Sequence, residues 1–123
     1  MAVIPCPATW THELPHARFT SLATPKTGSS ETSVWRVQLS ASAETVPHSL
    51  TREEIFVVLS GTVRVELAGK VEDAQTGDAI VVPKDTQVTL SCVGADAEVL
   101  CCLPVGGQAR VQDGPLFTPP WAQ

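Results

Sequence analysis

The sequence predicts an all-β domain, an antiparallel sandwich or barrel with irregular N- and C-terminal arms. Three observations carry this. Short apolar or alternating runs recur at close spacing, each broken by Gly, Pro or Ser. The cleanest runs alternate with period two, the period of a half-buried strand. No segment sustains the 3.6-residue apolar period of a helix. Residues 1–17 contain Pro5, Pro7 and Pro15 and read as an extended arm. Residues 18–104 carry the strands. Residues 105–123 are turn-rich and end in Pro119-Pro120-Trp121, an irregular tail.

Within the central segment the expected strands follow in order. Phe19 to Ala23 is a short one, closed by turn residues from Pro25 to Ser30. From Ser33 to Leu39, Trp35, Val37 and Leu39 share one face and Arg36 and Gln38 the other. Glu54 to Leu59 is almost continuously apolar and stops at Ser60-Gly61. From Thr62 to Leu67, Val63, Val65 and Leu67 oppose Thr62, Arg64 and Glu66. Ala68-Gly69-Lys70 reads as a turn. Ala79 to Val82 is a short strand stopped by Pro83. Val88, Leu90 and Cys92 alternate with Thr89 and Ser91. Glu98 to Leu103 is the last strong strand, ended by Pro104.

Composition bounds the function. The 123 residues are one domain's length, enough to bury roughly two-thirds of the extended surface. With 43% hydrophobic and 17% charged residues, the chain has the material for a packed core. Eight basic against 13 acidic residues give a formal charge of −5, which argues against nucleic acid as a partner. No apolar run reaches the roughly 20 residues of a membrane helix, so no membrane partner is expected. No secretory leader is visible, and a cytoplasmic setting is expected.

Four cysteines, Cys6, Cys92, Cys101 and Cys102, form no Cys-x-x-Cys pair. Cys101 and Cys102 are neighbours on a strand and point to opposite faces. All four read as free thiols, chiefly small apolar residues. The run His12-Glu13-Leu14-Pro15-His16 matches the letters of a zinc-protease helix. Pro15 inside that helix would cost roughly 3 kcal/mol, so the run reads instead as polar residues of the arm.

A second pattern is more specific. His48, Glu54 and Gly61 are followed by Gly77 and Pro83, with the Thr62 to Leu67 strand between them. Glu53 to Gly61 and Thr76 to Pro83 match most closely, the latter a Gly-Asp turn feeding a strand. In this the chain resembles the cupin family, whose motifs run G-x5-H-x-H-x3-E-x6-G and G-x5-P-x-G-x2-H-x3-N. The resemblance spans about Trp35 to Pro104 and implies a jelly-roll β-barrel. It also implies a two-fold homodimer, since small cupins pack sheets together, with Ile55, Val57, Leu59, Ile80 and Val82 expected on outer faces that need cover.

Cupins usually hold a metal through two His and one Glu of the first motif and one His of the second. By that resemblance His48 and Glu54 stand at the first His and the Glu positions. Leu50 and Val88 stand at the other two His positions, Ser42 and Asp85 replace motif glycines, and Cys92 replaces the Asn. Leu and Val offer no lone pair, and divalent transition metals want at least three protein ligands. No metal cofactor is therefore expected; if one binds, His48 and Glu54 are its motif ligands. The resemblance implies an inward set of His48, Glu54, Leu50, Phe56, Val58, Val88, Leu90 and Cys92. That is a mostly apolar pocket with one imidazole and one carboxyl, expected to hydrogen-bond each other or a ligand.

Three functions fit these residues. The first is a metal-free barrel that binds a small, largely apolar molecule. The second is a metal-independent isomerase, cyclase or lyase in which His48 and Glu54 are the catalytic acid–base pair. With no Tyr in the chain, the Tyr acid of cupin-type sugar epimerases has no counterpart. The third is an oxygenase or isomerase whose divalent transition metal recruits substitute ligands among Cys92, Cys101, Cys102, His12 and His16. Failing these, His48 is a satisfied core residue and Glu54 is held by Arg36 or Arg64.

Overall fold

The computed structural model describes residues 2–42 and 46–123; Met1, the first residue of the arm, lies outside them. Eleven strands run in chain order: β1 His12–Leu14, β2 Ala17–Ala23, β3 Thr32–Leu39, β4 His48–Leu50, β5 Glu54–Ser60 and β6 Val63–Leu67. After them come β7 Lys70–Ala74, β8 Ala79–Val82, β9 Val88–Cys92, β10 Ala97–Pro104 and β11 Ala109–Val111. They form a six-stranded sheet, β1-β2-β3-β10-β5-β8, and a five-stranded sheet, β11-β4-β9-β6-β7. The described strand pairs are antiparallel. This is the jelly-roll barrel that the motif spacing implies. Among the described residues no helix is long and apolar enough to cross a membrane.

Period two decides what is inside. Trp35, Val37 and Leu39 of β3 are buried, while Arg36 points out and pairs with Glu98 of β10 (Nε to Oε1, 3.2 Å). Val99, Cys101 and Leu103 of β10 are buried, and Cys102 faces the other way. Val63 and Val65 of β6, Val88 and Leu90 of β9 and Leu50 of β4 complete the opposite wall. The four cysteines are free.

One expectation about faces is corrected. Ile80 and Val82 do not lie outside. The β5–β8 register sets Val82 opposite Glu54 and Ile80 opposite Phe56, so both turn into the core and Val81 is exposed. An uninterrupted apolar run such as Ile80-Val81-Val82 carries no alternation from which to read its face. Ile55 and Val57 are half-buried and Leu59 is exposed on the outer side of β5.

The arms are more ordered than irregular. β1 pairs with β2, so His12-Glu13-Leu14 is a strand and Pro15 lies in the turn after it, not in a helix. At the other end Trp121 stacks on Phe19 with centroids 3.8 Å apart and planes 10° apart. Ser21 and Ser33 donate their hydroxyls to the Trp121 and Ala122 carbonyls, each at 2.7 Å. Phe117 exchanges two backbone hydrogen bonds with Ala109. The tail is thereby strapped across one end of the barrel, and Trp121 finds its partner in its own chain.

The motif turns have clear physical roles. At Gly77-Asp78, Asp78 Oδ2 accepts the Gln75 N–H (2.8 Å), and the Gly77 N–H donates to the Val58 carbonyl (2.8 Å). Asp85, at the position of a motif glycine, has φ +57°, a left-handed conformation that Asp tolerates better than most residues. Gly61, between β5 and β6, has φ +79°, and a Cβ there would sit 2.8 Å from the Asp96 carbonyl oxygen. Gly69 has the same φ but nothing within 4 Å. Gly61→Ala should therefore cost about 2 kcal/mol or more in urea unfolding. Gly69→Ala should cost about 1 kcal/mol, the backbone share alone.

Candidate active site in the barrel

The inward faces of the two sheets do not meet everywhere. Between them lies a cavity of about 230 Å³, walled mainly by apolar side chains. β3 contributes Trp35, Val37 and Leu39; β10 contributes Val99 and Cys101; the strapped tail contributes Phe117, Pro119 and Trp121. Three titratable rings or carboxyls join them, His16, His48 and Glu54. A cleft of about 470 Å³ beside Glu13, Arg18 and Glu98 is larger but polar and superficial. The barrel cavity is where buried polar groups and apolar walls converge, the general form of a ligand site.

Glu54 is the deepest polar group. It opens β5, and the strand's pleat sends it inward with Phe56 and Val58. Only 3% of it is exposed, and Oε1 has no hydrogen-bond partner. Burial pushes its carboxyl up to about 8, so it keeps its proton at neutral pH. The two guanidiniums named as its candidate partners are engaged elsewhere: Arg36 with Glu98, and Arg64 with Asp73 at 2.8 and 3.1 Å. Nor does His48 pair with it. The His48 Nδ1 lies 3.5 Å from the Val46 carbonyl. The expected imidazole–carboxyl hydrogen bond is therefore absent, because His48 sits at the start of β4 on the other sheet and is satisfied locally.

His48 is half-buried at the cavity, and desolvation there lowers its pKa; the Val46 carbonyl opposes the shift and His16 adds to it. Burial also lowers His16. The cavity thus sets an acid that holds its proton on one sheet and a base that stays neutral on the other. Cys101 lies on the wall too, and burial, followed by Glu54 and Cys102, pushes its thiol well up. It stays a thiol rather than a thiolate nucleophile.

The other residues of the inward set are divided by the structure. Leu50, Phe56 and Leu90 line the cavity. Val58 and Val88 are buried but packed away from it. Cys92 is half-buried and its Sγ donates to the Leu39 carbonyl (3.4 Å). The sequence reading omitted β3, β10 and the tail from the wall. The Trp35-Val37-Leu39 alternation was the available signal for β3; nothing in the tail's composition told where it would fold.

A family metal fits these residues poorly. Leu50 and Val88, both buried, fill two donor positions with hydrocarbon. Among the described residues no three His, Cys, Asp or Glu side chains converge. His12 is engaged with Thr11 (2.8 Å) and edge-on to Trp121, and Cys92 faces Leu39. His16, His48 and Glu54 line one cavity but are not placed together as a ligand set among the described residues, and zinc or iron needs at least three such ligands.

The buried acid has a stability signature. Between pH 4.5 and about 8 the unfolded chain ionises Glu54 while the folded chain keeps the proton. Folding stability therefore falls as pH rises through that window. His48 acts oppositely: its lowered folded pKa costs stability as pH falls below 6.5. Glu54→Gln removes only the first dependence. In urea unfolding it should gain on the wild type from about pH 5 to about pH 8, by up to about 5 kcal/mol. A gap independent of pH would show that the carboxyl is solvated.

The comparisons agree with this architecture. The model of the family described as "Cupin domain" matches residues 34–103. A search of the curated proteins found no match. Among solved structures, KdgF from Halomonas sp. is 24% identical with a TM-score of 0.68, over 77% of this chain and 84% of that one. An ethanolamine utilization protein Q from Salmonella typhimurium LT2 is 26% identical with a TM-score of 0.60, over 70% and 67%. The polyketide cyclase RemF from Streptomyces resistomycificus is 18% identical with a TM-score of 0.70, over 89% and 80%. With more than half its length matched by the family model and its barrel shared with these structures, the chain belongs to the cupin family.

Proposed function

We propose that this cupin binds a small, largely apolar molecule in its barrel and does so without a resident metal. The observation that carries the reading is the cavity of about 230 Å³, whose lining is apolar except for His16, His48, Glu54 and the Cys101 thiol. A preformed, mainly apolar cavity gives hydrophobic affinity, and few polar groups leave orientation to Glu54 and His48. The resemblance to small cupins supports a homodimer, and the exposed Leu59 and Val81 offer apolar surface for it. The four free thiols accord with a reducing, cytoplasmic setting. Native mass spectrometry should give a dimer carrying an organic adduct that denaturation releases. Metal analysis after incubation with zinc, iron, manganese, nickel and copper salts should stay well below one ion per chain. Stoichiometric metal, lost in His48→Ala and Glu54→Ala, would overturn the metal-free reading.

A second reading is favoured by one observation: the cavity shifts its acid and its base in opposite directions. Glu54 holding a proton and His48 lacking one can move a proton between two positions of a bound molecule, the step shared by isomerases, cyclases and lyases. That the similar RemF is a polyketide cyclase accords with it. Turnover would need His48 deprotonated and Glu54 protonated. The rate should then rise below pH 6.5, hold through neutrality and fall near pH 8. Glu54→Gln should remove the upper limb, and a rate that climbs steadily past pH 9 would count against the pair.

A further inference from the structure

The geometry points to one ligand class for this cavity: an uncharged aromatic compound whose hydroxyl group pairs with the Glu54 carboxyl. The inference rests on the reading of the barrel cavity as a small-molecule site.

Glu54 Oε1 is buried on the cavity wall with no hydrogen-bond partner among the described residues. An unpaired buried polar atom costs about 1–3 kcal/mol, so a group that satisfies it gains more than an ordinary hydrogen bond. A hydroxyl is the group that serves in either proton state, because it accepts from a carboxylic acid and donates to a carboxylate. A ketone or ether serves only the acid, and an N–H donor meets an acceptor oxygen in either state but leaves the acid's own O–H unpaired.

Charge is disfavoured in both signs. Among the described residues no Lys or Arg lines the cavity, and Arg36 and Arg64 are paired on the outer surface. An anion would meet Glu54 and no cation. An ammonium would have to be stripped of water beside two imidazoles, His16 and His48, to reach a carboxyl that is itself buried. Shape favours rings. Phe19, Trp35, Phe56, Phe117 and Trp121 all face the cavity. A dry cavity of about 150 Å³ takes benzene, so about 230 Å³ takes a substituted ring.

Four probes built on one scaffold test this: p-xylene, p-cresol, 4-methylbenzoate and 4-methylbenzylammonium, titrated by NMR at neutral pH into the full chain and its variants. Both uncharged probes should bind, and both ions should bind more weakly than p-cresol. The preference for p-cresol over p-xylene should fall about fivefold or more in Glu54→Leu and stay largely intact in Glu54→Gln. Taking the ratio cancels the difference in hydrophobicity between the probes. Should Glu54→Leu fail to fold, Glu54→Met carries the same comparison. An unchanged ratio in the apolar variant would overturn the hydroxyl pairing. An ion as the tightest probe would overturn the uncharged class. Binding of none of the four would instead overturn the cavity reading itself.

Discussion

A carboxyl buried among hydrocarbon without a partner is the constraint on which the rest of this barrel turns. Glu54 cannot leave. It shares its strand face with Phe56 and Val58, both core residues, and a one-residue slip of β5 would carry them into solvent with it. β5 is held on both sides, by β10 and by β8, so the register is fixed twice. The cost of the buried group is met by the apolar contacts around it. The carboxyl answers in the one way left to it, by keeping its proton.

The same dry interior acts on His48 with the opposite sign. Burial disfavours charge, which raises an acid and lowers a base. Dryness depends on closure, and closure depends on segments far apart in the chain. The tail crosses the open end and is pinned by Ser21, Ser33 and the Phe19–Trp121 stack. β1 and β2 bring His16 and Phe19 to the same rim. The chemistry of β5 is therefore conditioned by contacts a hundred residues apart in sequence.

Much of the barrel was legible in the sequence because its strands alternate. β3, β6 and β9 each carry a period-two face, β10 is an apolar run stopped by Pro104, and the His48–Gly61 and Gly77–Pro83 spacings placed them in one architecture. β7 was hidden because it is an outer strand of its sheet, and Lys70 to Asp73 are exposed and mostly charged. β1, β4 and β11 are three residues each, too short to show a period. The inward position of Glu54 and His48 could be read from the motif. Their failure to meet could not, since it depends on how far apart the two sheets hold them and on the local Val46 carbonyl.

Aliphatic residues at the motif's other two histidine positions would do more than leave a coordination set unfilled. A cation or an imidazolium beside a carboxyl stabilises its ionised form and lowers its pKa. Leu50 and Val88 supply neither and exclude water as well. With burial on every side and no cation beside it, the carboxyl is a neutral acid at pH 7 rather than an anion. On the proposed reading, a site that coordinates cations and a site that hydrogen-bonds neutral molecules would differ by two side chains on one barrel. That is how one family scaffold can host unrelated chemistries without altering its strand order.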